Sequence, residues 1–204
     1  MDRPGKIVCV GRNYRAHAQE LGNEVPREPL LFLKPPSCII ASGESIELPG
    51  DAGRVDFEGE VGIVVGALLR KATAAACGAA VRGIVAANDV SSRDWQNNDG
   101  QWSRAKGSDT FLPLGAESRS PRDLGGLTIV TRVNGEERQR ASSADLVFPV
   151  PVLLAYISRY MTLEPGDLVL TGTPAGVGPL VPGDVVEVEV LGHSKVSNPV
   201  RAAA

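Results

Sequence analysis

Apolar residues along this chain recur mostly in short runs that are typical of buried β-strands. Gly and Pro divide the sequence into many pieces, and most pieces carry β-branched or apolar residues without helical periodicity. A hairpin is predicted in LTIVTRVNGEERQRA, with its turn at Asn134 and Gly135. The other predicted strands are KIVCVG, LLFLKP, SIELP, VDFEGEVGIVVG, GIVAANDV, DLVLTGTP, DVVEVEVLG and HSKVSNPVRA.

Helices are predicted in only a few short segments. VPVLLAYISRYM repeats apolar residues at helical spacing, and Pro149 and Pro151 lie where a first turn tolerates proline. TAAACGAAV predicts a short helix capped by Thr73. Because strands do not alternate regularly with helices, the predicted fold class is α+β with a largely antiparallel or mixed sheet. We expect one domain, residues 1–204.

Composition and charge narrow the classes of partner. The chain has 21 Lys and Arg against 24 Asp and Glu, a net charge of -3, and no run of basic residues. This balance argues against nucleic acid or an anionic membrane and favours a small-molecule partner. No segment has the length of apolar sequence that a signal peptide or a membrane span needs, so we expect a cytoplasmic protein. Cys9, Cys38 and Cys77 show no pairing pattern and are expected to be buried, reduced thiols.

The segment VDFEGEVGIVVG carries the most distinctive chemistry. As one strand, it would present Asp56, Glu58 and Glu60 on a single face, where like charges repel. One interpretation is that these acids lie on a solvated sheet edge, where their charges discourage edge-to-edge association with another sheet. The other is a cation bound between these acids and Asp89, which ends a second apolar strand. Oxygen-only ligation by Glu58, Glu60 and Asp89 suits Mg²⁺ or Mn²⁺ and leaves open positions for water or substrate, as in a catalytic site.

The role of Asp56 stays open between two alternatives. It could bind the metal through water, or it could pair with a basic residue such as Arg54 or Arg104.

Six motifs in order resemble the catalytic domain of the fumarylacetoacetate hydrolase family: GRNYRAHAQELG, LFLKP, VDFEGEVGIVVG, NDVSSRDWQ, RAKGSDTFLPLG and LTGTPAGVG. The resemblance is to its small single-domain members, which act on acylpyruvates, oxaloacetate or related dioxo acids. It implies a β-rich fold with a mixed β-roll and few short helices, a homodimer, and a Mg²⁺ or Mn²⁺ site at Glu58, Glu60 and Asp89. The match begins near Lys6, which favours the small branch over larger members with an N-terminal domain.

The resemblance also implies catalytic roles for His17, Glu20 and Lys106. His17 and Glu20 are three residues apart and share a face of a short helix, where Glu20 can orient the imidazole. An arbitrary pair of this kind is usually a surface pair, but in the family the matching residues form a dyad on a lid and can deprotonate a water. Lys106 would otherwise be a solvated loop lysine, whereas the family's lysine points into the site and polarises a carbonyl.

Substrate-binding residues follow from the same motifs. Arg93 and Gln96 match positions that line the pocket, although Arg93 could equally pair with Asp94 or another acid. Arg12 is a candidate for the distal end of the substrate. The segment LTGTPAGVG is a strand followed by a Gly-rich turn, and its small residues let the backbone approach a ligand. Thr171, Gly172 and Thr173 could offer hydroxyl and amide donors to a carboxylate.

The leading functional hypothesis is a metal-dependent hydrolase that cleaves a carbon–carbon bond of 2,4-dioxo acids to give pyruvate and a carboxylic acid. One alternative keeps the site and changes the reaction to oxaloacetate decarboxylation, or to the isomerisation or decarboxylation of 2-hydroxyhepta-2,4-diene-1,7-dioate in aromatic catabolism. An alternative of another class is a non-catalytic domain that binds dioxo acids or metal ions.

Overall fold

Strands dominate the computed structural model, which describes residues 3–20, 22, 24–121 and 123–203. In chain order the strands are β1 (Ile7–Gly11), β2 (Leu30–Lys34), β3 (Ile39–Ala41), β4 (Ile46–Leu48), β5 (Val55–Phe57), β6 (Gly59–Val65), β7 (Val81–Asn88), β8 (Ser91–Ser92), β9 (Leu112–Leu114), β10 (Ser118–Arg119), β11 (Thr128–Val133), β12 (Glu136–Ser142), β13 (Leu168–Leu170), β14 (Gly178–Pro179), β15 (Val185–Val190) and β16 (Ser194–Ala202). The helices are α1 (Arg15–Glu20), α2 (Ala74–Ala79), α3 (Arg93–Asn98), α4 (Ser103–Gly107) and α5 (Val150–Tyr160).

The largest sheet has mixed strand directions. Its order is β2-β1-β13-β6-β7-β9-β3, with β10 paired to β7. β1 runs parallel to β13, and β3 runs parallel to β9, whereas β6 is antiparallel to both of its neighbours. The mixed sheet and the short helices confirm the predicted fold class, a β-rich α+β fold with a mixed β-roll. The single domain of residues 1–204 stays a prediction, and residues 1, 2 and 204 lie outside the described part of the chain.

This sheet is buried on both faces. Along β6, Val61, Ile63 and Val65 belong to a core that also includes residues of α5 and of the five-stranded sheet that contains β11, β15 and β16. Val64, between them, belongs to a separate cluster with Val85. Because side chains alternate across a strand, a strand covered on both sides is apolar at every position. The continuous apolar run at the end of the acidic segment therefore reflects its central place in the sheet.

A five-stranded sheet contains the predicted hairpin. Its order is β12-β11-β15-β16-β4, and β16 is parallel to β4. Asn134 and Gly135 join β11 to β12 with φ angles of 53° and 81°, as a tight Asn-Gly turn requires. The hairpin is confirmed at the predicted position.

Helices α2 and α5 pack together, and both were predicted. Leu153, Leu154 and Ile157 of α5 are buried in the core, and burial of each such side chain contributes about 1.5–3 kcal/mol. Thr73 caps α2, because its hydroxyl accepts a hydrogen bond from the Ala76 N–H at 3.3 Å.

The acidic segment is not one strand. β5 ends at Phe57 and β6 begins at Gly59, so Glu58 lies in the break. β5 belongs to a three-stranded sheet of order β14-β5-β8, whereas β6 belongs to the largest sheet. The expectation that Asp56, Glu58 and Glu60 share one strand face is therefore wrong, because the chain changes sheets between them. Only glycine fits at the crossing, since a Cβ on Gly59 would lie 1.9 Å from Thr131 Oγ1.

Cys9, Cys38 and Cys77 are free and buried, as predicted. None of the helices within the described ranges is long and apolar enough to cross a membrane.

Candidate active site

Strand register brings the three predicted metal ligands together. In the β6–β7 pair, Gly59 lies opposite Asn88, so Glu58, just before β6, meets Asp89, just after β7. The Asp89 N–H donates to the Glu58 carbonyl at 2.8 Å, and Glu60 lies one position further along β6. One carboxylate oxygen from each of Glu58, Glu60 and Asp89 lies within 4.8 Å of the others, and all three residues are buried.

Two buried lysines contact this carboxylate triad of Glu58, Glu60 and Asp89. Lys106 Nζ donates to Glu58 Oε2 at 2.7 Å and to Asp89 Oδ2 at 2.8 Å. Lys34 Nζ donates to the other Asp89 oxygen, Oδ1, at 2.6 Å. Lys106 lies on α4 and is buried, so the alternative of a solvated loop lysine does not hold. A buried ammonium needs carboxylate partners, and two of the three acids provide them.

Asp56 does not join the triad. It accepts hydrogen bonds from Arg54 Nε at 2.7 Å and from Arg93 Nε at 2.8 Å. Of the two partners that the sequence left open, Arg54 is correct and Arg104 is not, because Arg104 pairs with Asp99 on the exposed surface.

Arg93 links Asp56 to the triad and does not pair with its neighbour Asp94. Its Nη2 lies 2.7 Å from Glu58 Oε1, and its Nη1 donates to Gln96 Oε1 at 2.8 Å. The guanidinium group is thereby fixed between two acids, and it holds Gln96 at the pocket wall.

The turn after β13 approaches the triad through its backbone. Gly172 donates its N–H to Glu60 Oε2 at 2.6 Å. The hydroxyls of Thr171 and Thr173 donate to the carbonyls of Val61 and Gly59, at 2.9 Å each. The predicted amide donor therefore serves Glu60, and both threonine hydroxyls brace β6. Thr173 also lines the pocket.

The pKa values of the acids diverge. Burial alone would raise the pKa of Glu58, but the charges of Lys106 and Arg93 outweigh burial and lower it to about 2. Burial, reinforced by the negative charges of Asp89 and Glu58, raises the pKa of Glu60 well above its ordinary value. Burial would lower the pKa of Lys106, but Asp89 and Glu58 outweigh it and raise the pKa, so Lys106 stays an ammonium.

The donor set fits a hard divalent cation. Three buried carboxylates converge, and carboxylate oxygens are the ligands that Mg²⁺ and Mn²⁺ prefer. Within the described residues, no Lys or Arg forms an ion pair with Glu60. A cation held by Glu58, Glu60 and Asp89 would supply the positive charge that Glu60 lacks.

His17 and Glu20 lie on α1 beside the triad. His17 Nδ1 lies 3.3 Å from Glu20 Oε2, and His17 is buried at the pocket wall. Glu20 also accepts the Gly176 N–H at 3.0 Å, which ties α1 to the turn after β13. The contact leaves Nε2 of His17 as the nitrogen available for a reaction.

A cleft of about 660 Å³ opens over these groups. Phe32 and Trp102 form an apolar part of its wall, with ring centroids 5.4 Å apart. Arg12 lines it with a positive φ of 57°. Among the predicted site residues, Glu20, Thr171 and Gly172 lie outside the lining, and those that line it are Arg12, His17, Glu58, Glu60, Asp89, Arg93, Gln96, Lys106 and Thr173.

Sequence reasoning missed Lys34. Its motif LFLKP was noted as a strand and as one of the six family motifs, but its lysine was given no role, although Lys34 is among the largest fully buried side chains. A charged residue that ends an apolar strand directly before Pro35 is a signal for a buried partner, because lysine is rarely buried without one.

Both the sequence and the fold of this chain are similar to those of known proteins. A family model described as fumarylacetoacetate (FAA) hydrolase C-terminal matches residues 6–201. An oxaloacetate tautomerase of Escherichia coli is 41% identical over 202 residues, covering 95% of this chain and 92% of that protein. A mitochondrial oxaloacetate decarboxylase of Dictyostelium discoideum is 42% identical over 194 residues, covering 92% and 89%. The crystal structure of a 5-carboxymethyl-2-hydroxymuconate delta-isomerase from Mycobacterium smegmatis superposes with a TM-score of 0.92 at 44% identity, covering 99% of this chain and 80% of that one.

Proposed function

The chain belongs to the fumarylacetoacetate hydrolase family, and from that premise we propose that it interconverts the keto and enol forms of a short 2-oxo dicarboxylic acid of the oxaloacetate class. The observation that carries the proposal is the convergence of Glu58, Glu60 and Asp89 beside the buried ammonium of Lys106. The relatives named for oxaloacetate tautomerisation and decarboxylation favour this reaction over hydrolysis, the leading hypothesis from the sequence.

The chemistry starts from the acidity of the carbon beside a 2-oxo group. Loss of a proton from that carbon places negative charge on the neighbouring carbonyl oxygen. A Mg²⁺ or Mn²⁺ ion held by the triad would supply Lewis-acid stabilisation of this charge. Lys106 adds a second positive charge at the cleft, and its raised pKa makes it a fixed charge rather than a proton donor.

Proton movement falls to His17 in this proposal. The imidazole takes the proton from the carbon and returns it to the carbonyl oxygen to give the enol, and the reverse sequence gives the keto form. Glu20 Oε2 lies 3.3 Å from Nδ1 and orients the ring, so Nε2 is the nitrogen that transfers the proton. Keto–enol interconversion needs no water, so the same residues complete it without a hydrolytic step.

Arginines match the charge of a dicarboxylic substrate. Arg93 is engaged by Asp56 and Glu58 and therefore serves to hold Glu58 and Gln96 in place. Arg12 lines the cleft and, within the described part of the chain, forms no ion pair. It is the cation that we assign to the distal carboxylate of the substrate.

The second candidate is hydrolysis of an acylpyruvate. The contact between His17 and Glu20 favours it, because a buried imidazole oriented by a carboxylate can activate a water as well as accept a carbon-bound proton. Decarboxylation of oxaloacetate and isomerisation of a dienoic diacid would use the same triad.

A side-by-side assay tests the proposal. Purified protein with Mg²⁺ is given oxaloacetate, acetylpyruvate and 2-hydroxyhepta-2,4-diene-1,7-dioate, with keto–enol exchange, pyruvate release and isomerisation followed separately. We expect the highest kcat/KM for keto–enol exchange of oxaloacetate. A higher value for acetylpyruvate hydrolysis would favour the second candidate, and no turnover of any substrate would favour a non-catalytic binding domain. We further expect a cytoplasmic protein that forms a homodimer. Light scattering of the purified protein would test the homodimer.

A further inference from the structure

Each carboxylate of the triad has at least one oxygen in contact with a donor, and Lys106 contacts a second oxygen of both Glu58 and Asp89. Arg93 Nη2 lies 2.7 Å from Glu58 Oε1. The backbone N–H of Gly172 donates to Glu60 Oε2 at 2.6 Å. Glu60 therefore has one oxygen engaged by the backbone. Glu58 has Oε1 beside Arg93 and Oε2 on Lys106.

Asp89 follows the same pattern through Lys34. Lys34 Nζ donates to Oδ1 at 2.6 Å, whereas Lys106 donates to Oδ2 at 2.8 Å. Lys106 lines the cleft, and its ammonium also contacts Glu58. Lys34 lies outside the lining of the cleft, and its side chain is 0% exposed. Oδ1 is thus held from the interior by Lys34, whereas Oδ2 shares the ammonium of the cleft-lining Lys106 with Glu58 Oε2.

Divalent cations differ in how they use carboxylates. Ca²⁺ takes six to eight oxygens and accepts both oxygens of one carboxylate, whereas Mg²⁺ requires a compact octahedron of about six ligands. A charged hydrogen bond to one carboxylate oxygen occupies one of its lone pairs and fixes its direction, so coordination of one metal ion by both oxygens of that carboxylate is disfavoured. Such a donor set suits Mg²⁺ and Mn²⁺ and is poor for Ca²⁺.

We propose that Lys34 is a selectivity residue of the metal site, because its hold on Asp89 Oδ1 confines Asp89 to single-oxygen coordination and thereby disfavours Ca²⁺. This inference rests on the metal site of the proposed function. Among the three donors, Lys34 is the one that substitution can remove cleanly, since Gly172 acts through its backbone and Arg93 also holds Asp56. Lys34 is a positioning residue, and its effect is on the choice of ion.

The test measures relative affinities. Mn²⁺ binding is followed by electron paramagnetic resonance of the free ion, and Mg²⁺ and Ca²⁺ are then titrated as competitors. In Lys34→Met, Asp89 Oδ1 loses its interior donor. We expect the ratio of Ca²⁺ to Mg²⁺ affinity to rise about tenfold or more, within the range of effects of residues that orient metal ligands. Lys34→Arg keeps a donor and a charge at this position and should retain the wild-type ratio.

Two comparisons separate selectivity from other effects. Lost positive charge would strengthen binding of both ions alike, so an unchanged ratio in Lys34→Met overturns the proposal. Lys6→Met removes another lysine from a buried aspartate, Asp167, and should lower stability while the ratio stays at the wild-type value. A changed ratio in Lys6→Met would show a general structural effect and would also overturn it.

Ion binding by the wild-type protein is a further test, and it does not depend on whether a variant folds. The wild-type protein should bind Mg²⁺ and Mn²⁺ more tightly than Ca²⁺, and a preference for Ca²⁺ would overturn the inference even if Lys34→Met does not fold. If the wild-type protein binds none of these ions, both the metal site of the proposed function and the inference about Lys34 are wrong. If wild type binds Mg²⁺ and the ratio does not respond to Lys34→Met, only the role of Lys34 fails.

Discussion

Gly172 donates its backbone N–H to Glu60 Oε2 at 2.6 Å across 112 positions of sequence. The contact depends on a left-handed backbone, because Gly172 has a φ of 99°. It also depends on the missing side chain, since a Cβ there would lie 2.8 Å from Asn13 Cβ and 3.1 Å from the Val10 carbonyl oxygen. One glycine therefore joins the turn after β13 to a candidate metal ligand.

Gly172→Ala should damage both stability and the site. The left-handed backbone costs about 1–2 kcal/mol for a residue with a Cβ, and the contact with Asn13 adds to this. Displacement of the turn should also weaken Mn²⁺ binding. Urea denaturation and Mn²⁺ titration measure the two effects.

Gly183→Ala is the matched control. Gly183 has the same φ of 99°, but nothing lies within 4 Å of its added Cβ. It should show the backbone cost alone and bind Mn²⁺ as wild type does. Equal stability loss in the two variants would contradict the close approach to Asn13.

Removal of a triad carboxylate should abolish metal binding and activity together. Glu60→Gln keeps the shape and removes the charge, and we expect Mn²⁺ affinity to fall on the order of a hundredfold or more, with activity lost in proportion. Chelation should inactivate wild type, and Mg²⁺ should restore it. Glu136→Gln, at an exposed acid on β12, should leave both unchanged. Activity that survives exhaustive chelation would argue against the metal.

His17→Ala should slow keto–enol exchange by about a hundred- to ten-thousandfold in kcat, the usual contribution of a general base. Oxaloacetate decarboxylation requires no base at that carbon and should be affected less. His193→Ala, at the other histidine of the chain, should behave as wild type. Equal loss of both reactions in His17→Ala would indicate a structural effect instead of proton transfer.

Stability should fall in alkaline solution. Burial raises the pKa of Cys38 from 9.0 to about 11, and burial also raises the pKa values of Cys9 and Tyr14. Above pH 9 an unfolded Cys38 thiol releases its proton while the folded one keeps it, so the unfolded state gains stability. The contribution is full below pH 9 and is lost as the pH rises through about 11, a change of roughly 2–3 kcal/mol for Cys38.

Urea denaturation at pH 7, 8, 9 and 10 measures this decline. Cys38→Ala removes one of the titrating thiols and should show a shallower decline above pH 9. An identical slope in the variant and in wild type would exclude Cys38 as a contributor.

Local sequence pattern was sufficient for most of the longer strands, for helices α2 and α5, and for the expectation that the three acids lie together. The hairpin at Asn134 and Gly135, the capped helix after Thr73 and the continuous apolar end of β6 were predicted correctly. Glu58, Glu60 and Asp89 were named as a group from their places at strand ends, and the structure brings them within 4.8 Å. Periodicity and turn chemistry depend on neighbours along the chain, so a sequence displays them directly.

The sequence by itself determined most of the longer strands and which acids could share a cation, because both follow from the spacing of residues along the chain. Only the tertiary structure decided that the acidic segment breaks at Glu58, that Arg93 joins Arg54 on Asp56, and that Lys34 lies on Asp89. Those outcomes depend on which strands become neighbours and on which charges must find partners away from water. A buried ion pair selects its partner by proximity in the fold, and spacing along the chain does not encode that proximity.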